Sequence, residues 1–149
     1  MVTTLARLYL DARNRLMETE EPQLAGQMAR ELVSTFSGRT QEQFLLEKDT
    51  PAEEALCLRV GEGVDRLLAG EPLPYVLGEW TFYGLPMVVS PDVLIPRDDT
   101  CAVAELAIHR GLFLDPDPRI LDLCCGSGCI GLAIASRLKD ARVTLADLS

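Results

Sequence analysis

Between Asp122 and Gly131 the chain reads Asp-Leu-Cys-Cys-Gly-Ser-Gly-Cys-Ile-Gly. Gly126, Gly128 and Gly131 match a G-x-G-x-x-G spacing, and Asp147 follows Gly126 by 21 residues. Glycine has no Cβ, so Gly126 and Gly128 can take positive φ and let a ligand lie directly on the main chain, with the first N–H groups of a following helix pointing at it. A carboxylate at that distance, ending the next strand, offers two acceptor oxygens to the 2′ and 3′ hydroxyls of a nucleoside held over the turn. The same pattern also suits a packed strand-helix-strand unit with an exposed terminal acid. Asp122, four residues before Gly126, separates two kinds of nucleoside. A pyrophosphate over this loop would meet an unwanted negative charge, whereas S-adenosylmethionine carries an ammonium and a sulfonium that favour a nearby carboxylate. A carboxylate here can equally accept backbone N–H bonds inside the loop, and both roles can hold together.

Three of the five cysteines, Cys124, Cys125 and Cys129, crowd the same turn; the others are Cys57 and Cys101. An odd number argues against a disulfide framework, and the absence of any Cys-x-x-Cys argues against zinc. No metal site is expected, and buried reduced thiols acting as small hydrophobes suit a cytoplasmic protein. The only histidine, His109, is expected near a helix C-terminus, where it complements the dipole. Fourteen basic against 23 acidic residues leave a net charge of −9, with no basic cluster, so no direct contact with nucleic acid is expected. Met1–Leu10 has no basic segment leading into an apolar core, and no stretch is apolar enough to span a membrane, so neither export nor a membrane partner is expected.

These residues need elements to hold them. Ile120, Leu121 and Leu123 form a buried strand before the turn, an Ala/Leu/Ile-rich helix runs from about Gly128 to Leu138, and Arg142–Asp147 is a second, parallel strand. Asp115-Pro116-Asp117-Pro118 is a stiff turn leading into the first strand. Upstream, residues 3–18 space Leu5, Leu8, Tyr9, Ala12 and Leu16 as an amphipathic helix. Pro22 opens a second helix with Leu24, Met28, Leu32, Val33 and Phe36 inward, stopped by Ser37-Gly38. A short helix covers Gln41–Leu46, and Thr50-Pro51-Ala52-Glu53 reads as the capped start of a fourth from Pro51 to about Ala69. Gly70-Glu71-Pro72-Leu73-Pro74 breaks the helical pattern. Beyond it, Glu79–Tyr83 and Leu85–Val89 are β-prone runs joined through Gly84, and Val93–Ile95 extends them to a hairpin or three-stranded meander. Asp98-Asp99-Thr100 provides an N-terminal cap for a helix to His109 that buries Val103, Leu106 and Ala107.

Asp122–Gly128 resembles the first motif of class I S-adenosylmethionine-dependent methyltransferases. Pro72–Gly84 (Pro-Leu-Pro-Tyr-Val-Leu-Gly-Glu-Trp-Thr-Phe-Tyr-Gly) and Val93-Leu94-Ile95-Pro96-Arg97 closely resemble the linker and hairpin of the release-factor glutamine methyltransferases, the PrmC/HemK family. The resemblance implies an α/β fold: an N-terminal helical bundle for substrate recognition (1–71), a β-hairpin linker (72–98), and the start of a class I methyltransferase Rossmann-like parallel sheet that binds S-adenosyl-L-methionine (99–149). It implies that Cys124, Cys125, Gly126, Ser127 and Gly128 wrap the methionine part of the cofactor, with Asp122 beside them and Asp147 on the ribose. The partner it implies is a peptide-chain release factor, methylated on the side-chain amide of the glutamine in its Gly-Gly-Gln motif.

Two positions depart from the family pattern. Asp98-Asp99 stands where Pro-Glu is usual, which shortens the local acid by one methylene and removes a stiff proline. Cys124 stands where the generic motif has glycine, so that position cannot need positive φ at low cost. The family's catalytic Asn-Pro-Pro-Tyr motif does not occur, the only asparagine being Asn14. No catalytic residue is therefore expected in this chain, and it is expected not to methylate by itself. The strand at 119–124, central in a full sheet, would keep an uncovered edge open to self-association. Two other readings stand beside this one: an amino-group methyltransferase of nucleic acid, and a non-catalytic module that binds cofactor or partner.

Overall fold

In the computed structural model, which describes residues 3–113 and 116–148, the heptad-like spacing of the first helix, α1 (Leu5–Leu16), buries Leu5, Leu8, Ala12 and Leu16. The Thr4 hydroxyl caps it by accepting the Arg7 N–H. α2 (Pro22–Ser37) has proline at its first position and ends at Gly38, whose φ of +66° is the left-handed stop that glycine adopts without strain. Its inward face is Ala25, Gly26, Ala29, Leu32 and Val33; Leu24, expected inward, is 45% exposed. Small residues in the first turns let α1 lie close, and that turns Leu24 outward. α3 (Gln41–Leu46) carries a reciprocal cap. Gln43 N–H donates to the Thr40 hydroxyl at 3.2 Å and Thr40 N–H to the Gln43 side-chain oxygen at 2.8 Å.

The fourth helix, α4 (Glu54–Leu68), starts at Glu54, not at Pro51. Residues 50–52 pair instead with the start of the chain: Leu5 N–H donates to Thr50 O at 3.0 Å and Ala52 N–H to Thr3 O at 2.7 Å. Two long-range main-chain bonds outweigh the local cap, and Glu53, the N-cap residue, makes no side-chain cap bond. Within α4, a Cβ at Gly63 would stand 2.8 Å from Leu32 Cδ2 and 3.1 Å from Phe36 Cε2, so this glycine is where α4 meets α2. The expected break at Gly70–Pro74 holds only in part, because Leu73–Leu77 form a short helix, α5, with Pro74 in its first turn, where proline is tolerated. Val76 of α5 joins the helical core. Arg66 fastens it, donating to both Glu71 carboxylate oxygens (2.7 and 2.5 Å) and to the carbonyls of Tyr75 and Val76 (3.1 and 3.3 Å).

Met1–Leu77 is one compact unit and Gly78–Ser149 a second. In the second, β1 (Glu79–Phe82) and β2 (Leu85–Val88) pair antiparallel through a two-residue turn, Tyr83-Gly84, with φ of +53° and +77°. Two positive φ values match the twist of a tight hairpin. Val93–Ile95 add no third strand, so the element is a hairpin and not a meander. α6 (Thr100–Gly111) lacks the expected side-chain cap, since Asp99 makes no cap bond. Carbonyls of Arg97, Asp98 and Asp99 accept from the N–H groups of Thr100, Cys101 and Ala102 instead. α6 turns Ala104 and Cys101 inward, leaving Val103 (54%) and Leu106 (63%) exposed against expectation and Ala107 half-buried. Close approach of α6 to its neighbours uses the small side chains, which rotates the larger ones to solvent.

β3 (Arg119–Leu123) and β4 (Arg142–Ala146) are parallel, with Arg119 opposite Arg142 and Leu123 opposite Ala146. α7 (Cys129–Arg137) connects them and covers one sheet face; Phe82, Met87, Ala104, Cys129 and Ala133 form the core of this unit. Asp115, the first residue of the expected stiff turn, lies outside the described residues. No helix among the described residues is long and apolar enough to cross a membrane.

Candidate functional site

The strand-to-helix turn takes its shape from three left-handed residues in five: Cys124, Gly126 and Gly128, with φ of +60°, +52° and +74°. Cys124 thus adopts a positive φ despite its side chain, which costs about 1–2 kcal/mol for a non-glycine residue. Main-chain bonds hold the turn. Cys125 N–H donates to Ala146 O at 3.2 Å and Gly128 N–H to Cys125 O at 2.8 Å. Gly128 then serves as the N-cap of α7, and its main chain lies against β4, for a Cβ there would stand 3.0 Å from Leu145 Cδ1.

The three glycines do different work. An ideal Cβ on Gly126 meets nothing within 4 Å, so its main chain is bare. Gly131 is the reverse: a Cβ would collide with the Leu145 side chain and reach Asp122 Cβ at 3.2 Å, so this glycine sets how closely α7 packs on the strands.

The two acids expected at the site sit at its back. Asp122 Oδ2 accepts the Gly131 N–H at 2.8 Å, which ties the end of β3 to the first turn of α7. Asp147 Oδ2 accepts the Gly126 N–H at 2.7 Å and Oδ1 the Leu148 N–H at 2.7 Å. The spacing of 21 residues therefore brings acid and turn into direct contact. Both carboxylates organise the loop.

In front of the turn is a cleft of about 360 Å³. Cys124, Cys125, Gly126 and Ser127 form one wall, whereas Asp122, Gly128 and Asp147 lie outside its lining. The other wall is the segment Leu94–Arg97 with Asp99 and Thr100. Local pattern assigned Leu94 and Ile95 to a third strand and Asp99-Thr100 to a helix cap and placed none of them at the site, because these residues form neither strand nor helix until Thr100. The signal that could have found them is the stiff Ile95-Pro96-Arg97 run directly before a helix start. Arg97 is the cation of the cleft and Asp99 its carboxylate. Among the described residues no group of three or more His, Cys, Asp or Glu is placed to hold a metal ion.

A helical N-terminal region followed by a hairpin and a parallel strand-turn-helix-strand unit is the start of a methyltransferase-type α/β fold. Residues 7–78 match the PrmC N-terminal domain. The chain is 45% identical over 104 residues to a release factor glutamine methyltransferase of Vibrio cholerae (70% of this chain, 34% of that protein). It is 42% identical over 111 residues to the one from Haemophilus influenzae (72% and 38%). It is 40% identical over 129 residues to the one from Bordetella pertussis (87% and 47%). The chain belongs to the PrmC family, and it spans between about a third and a half of the length of these curated relatives.

Proposed function

We propose that the chain supplies the recognition domain and the cofactor cradle of a protein-glutamine methyltransferase that uses S-adenosyl-L-methionine and acts on the Gly-Gly-Gln glutamine of peptide-chain release factors in the cytoplasm. Residues 1–71 would recognise the release factor, 72–98 link, and 99–149 hold the cofactor. The observation that carries this reading is the cleft that the bare main chain of Gly126 lines together with Arg97. Its shape and charge fit the proposed ligand. Cys124, Cys125, Gly126 and Ser127 line one wall. On the other, the Arg97 guanidinium can pair with the carboxylate of the methionine part and the Asp99 carboxylate suits its ammonium. Asp147, fixed against Gly126, is the carboxylate assigned to the ribose hydroxyls, and Asp122 keeps the turn rigid from behind. When bound, the cofactor contributes an electrophilic methyl group on a sulfonium. The residues of this chain bind and orient it. The asparagine motif that would grip the substrate amide is not among them, so the chain alone binds cofactor and transfers no methyl.

Calorimetry with S-adenosylmethionine tests the cradle. Arg97→Ala and Asp147→Asn should each weaken binding about tenfold, the loss of one charge-assisted contact. Equal affinity in the parent and both variants rejects the cleft as the site. Adding chain to release factor and to tRNA with labelled cofactor should transfer label to neither. Transfer to tRNA would favour the nucleic-acid reading.

A further inference from the structure

Apart from the cofactor cleft, the helical unit has a cavity of its own, about 500 Å³, where α1 faces the first half of α2 and the start of α3. Its lining is polar. Arg13 and Tyr9 enter from α1, Gln23, Gln27 and Arg30 from α2, and Gln41 from α3. Gly26 forms part of the floor. A Cβ there would stand 3.4 Å from the Tyr9 hydroxyl and 3.8 Å from Arg13 Nε, so the missing side chain is what leaves these groups room.

The two arginines are unspent. The ion pairs among the described residues use Arg7, Arg15, Arg39 and Arg66, and neither Arg13 nor Arg30 takes part in one. Arg30 Nε is buried and donates to no acceptor among the described residues. A buried guanidinium N–H without an acceptor is costly, and in a chain of net charge −9 acidic groups are plentiful enough to have supplied one. The carboxylate that does lie in the cavity, Glu31, already accepts from Gln41 Nε2 at 2.8 Å.

We propose that this α1/α2 cavity docks an acidic segment of a protein partner, with Arg13 and Arg30 taking one carboxylate between them. The fork of a guanidinium matches a carboxylate or a phosphate equally well. The surroundings decide for peptide. The glutamine amides Gln23 and Gln27 and the Tyr9 hydroxyl each offer donor and acceptor, as a peptide main chain needs. The inference deepens the reading of a protein substrate but uses none of the cofactor cleft, so the two fail separately.

Fluorescence anisotropy of labelled hexaglutamate with the whole 149-residue chain, without cofactor, is the test. Saturable binding is expected, weakened about tenfold by Arg13→Gln and by Arg30→Gln. Arg7→Gln, which removes the same charge from the exposed, ion-paired face of α1, should change it less than about twofold. Arg30→Met keeps the packing of the stem and should match Arg30→Gln, which separates lost recognition from lost folding. The proposal is overturned by absence of saturable binding, by an equal loss in Arg7→Gln, or by unlabelled oligothymidylate or inorganic phosphate displacing the label better than unlabelled peptide does.

Discussion

Residue 124 takes the turn's least comfortable conformation with a side chain attached. At φ +60° a cysteine carries strain that glycine would not, while glycine adds entropy to the unfolded chain. The first term exceeds the second, so Cys124→Gly should stabilise the second unit by about 0.5–1 kcal/mol, read as a higher midpoint in urea. Gly131 lies on the other side of that balance. Alanine there gains about 1 kcal/mol in helix propensity, but its Cβ enters the space of Leu145 and of the anchored Asp122, which costs about 1–3 kcal/mol. Gly131→Ala should therefore destabilise by up to about 2 kcal/mol and weaken S-adenosylmethionine binding through the displaced turn. An unchanged urea midpoint in this variant would mean that α7 can shift outward without loss.

At the scale of elements, α5 depends on one side chain from α4. Arg66 reaches Glu71 and the carbonyls of Tyr75 and Val76, and the hydrogen bonds from Arg66 hold the Glu71 carboxyl below its ordinary value; burial opposes this weakly and the charge of the same guanidinium adds to it. A carboxyl whose pKa falls on folding contributes fully above the ordinary glutamate range and loses that contribution as pH falls through and below it. Thermal melts of the helical unit should therefore be flat in this respect near neutrality and decline on acidification, and Glu71→Gln should remove that part of the slope. An identical acid slope in the variant would assign the decline to other carboxylates. The element boundaries teach the same lesson from the opposite direction. Thr50-Pro51 has the local chemistry of a helix start, yet Thr3 and Leu5 claim its main chain.

For the molecule as a whole, each unit has its own core, and the second leaves much apolar surface uncovered. α7 covers one face of the β3–β4 pair; on the other, Leu121 (60%) and Leu123 (68%), expected in a buried strand, are exposed because no element among the described residues covers that face. Val103 and Leu106 of α6 are exposed as well. Apolar patches of this kind associate. Light scattering should show the average mass rising with concentration, and Leu121→Lys with Leu123→Lys should reduce the rise. A constant monomer mass over the same range would show that this face stays solvated.

The residues themselves determined the helix periods, the hairpin, the strand-turn-helix-strand unit and the register of Asp147 with Gly126, because each is set by spacing along the chain. Periodicity names a helix but not its rotation, and so Leu24, Val103 and Leu106 were expected inside and are exposed: small residues at the contacts let the helices approach and turn the large ones out. Nor could local chemistry foresee that Thr50–Ala52 would pair with Thr3–Leu5, that Cys124 would accept a left-handed φ, or that Leu94–Thr100 would form the second wall of the cleft. Those outcomes rest on contacts between segments distant in sequence, whose energies exceed the propensities of the residues involved, and only the tertiary structure brings such segments together.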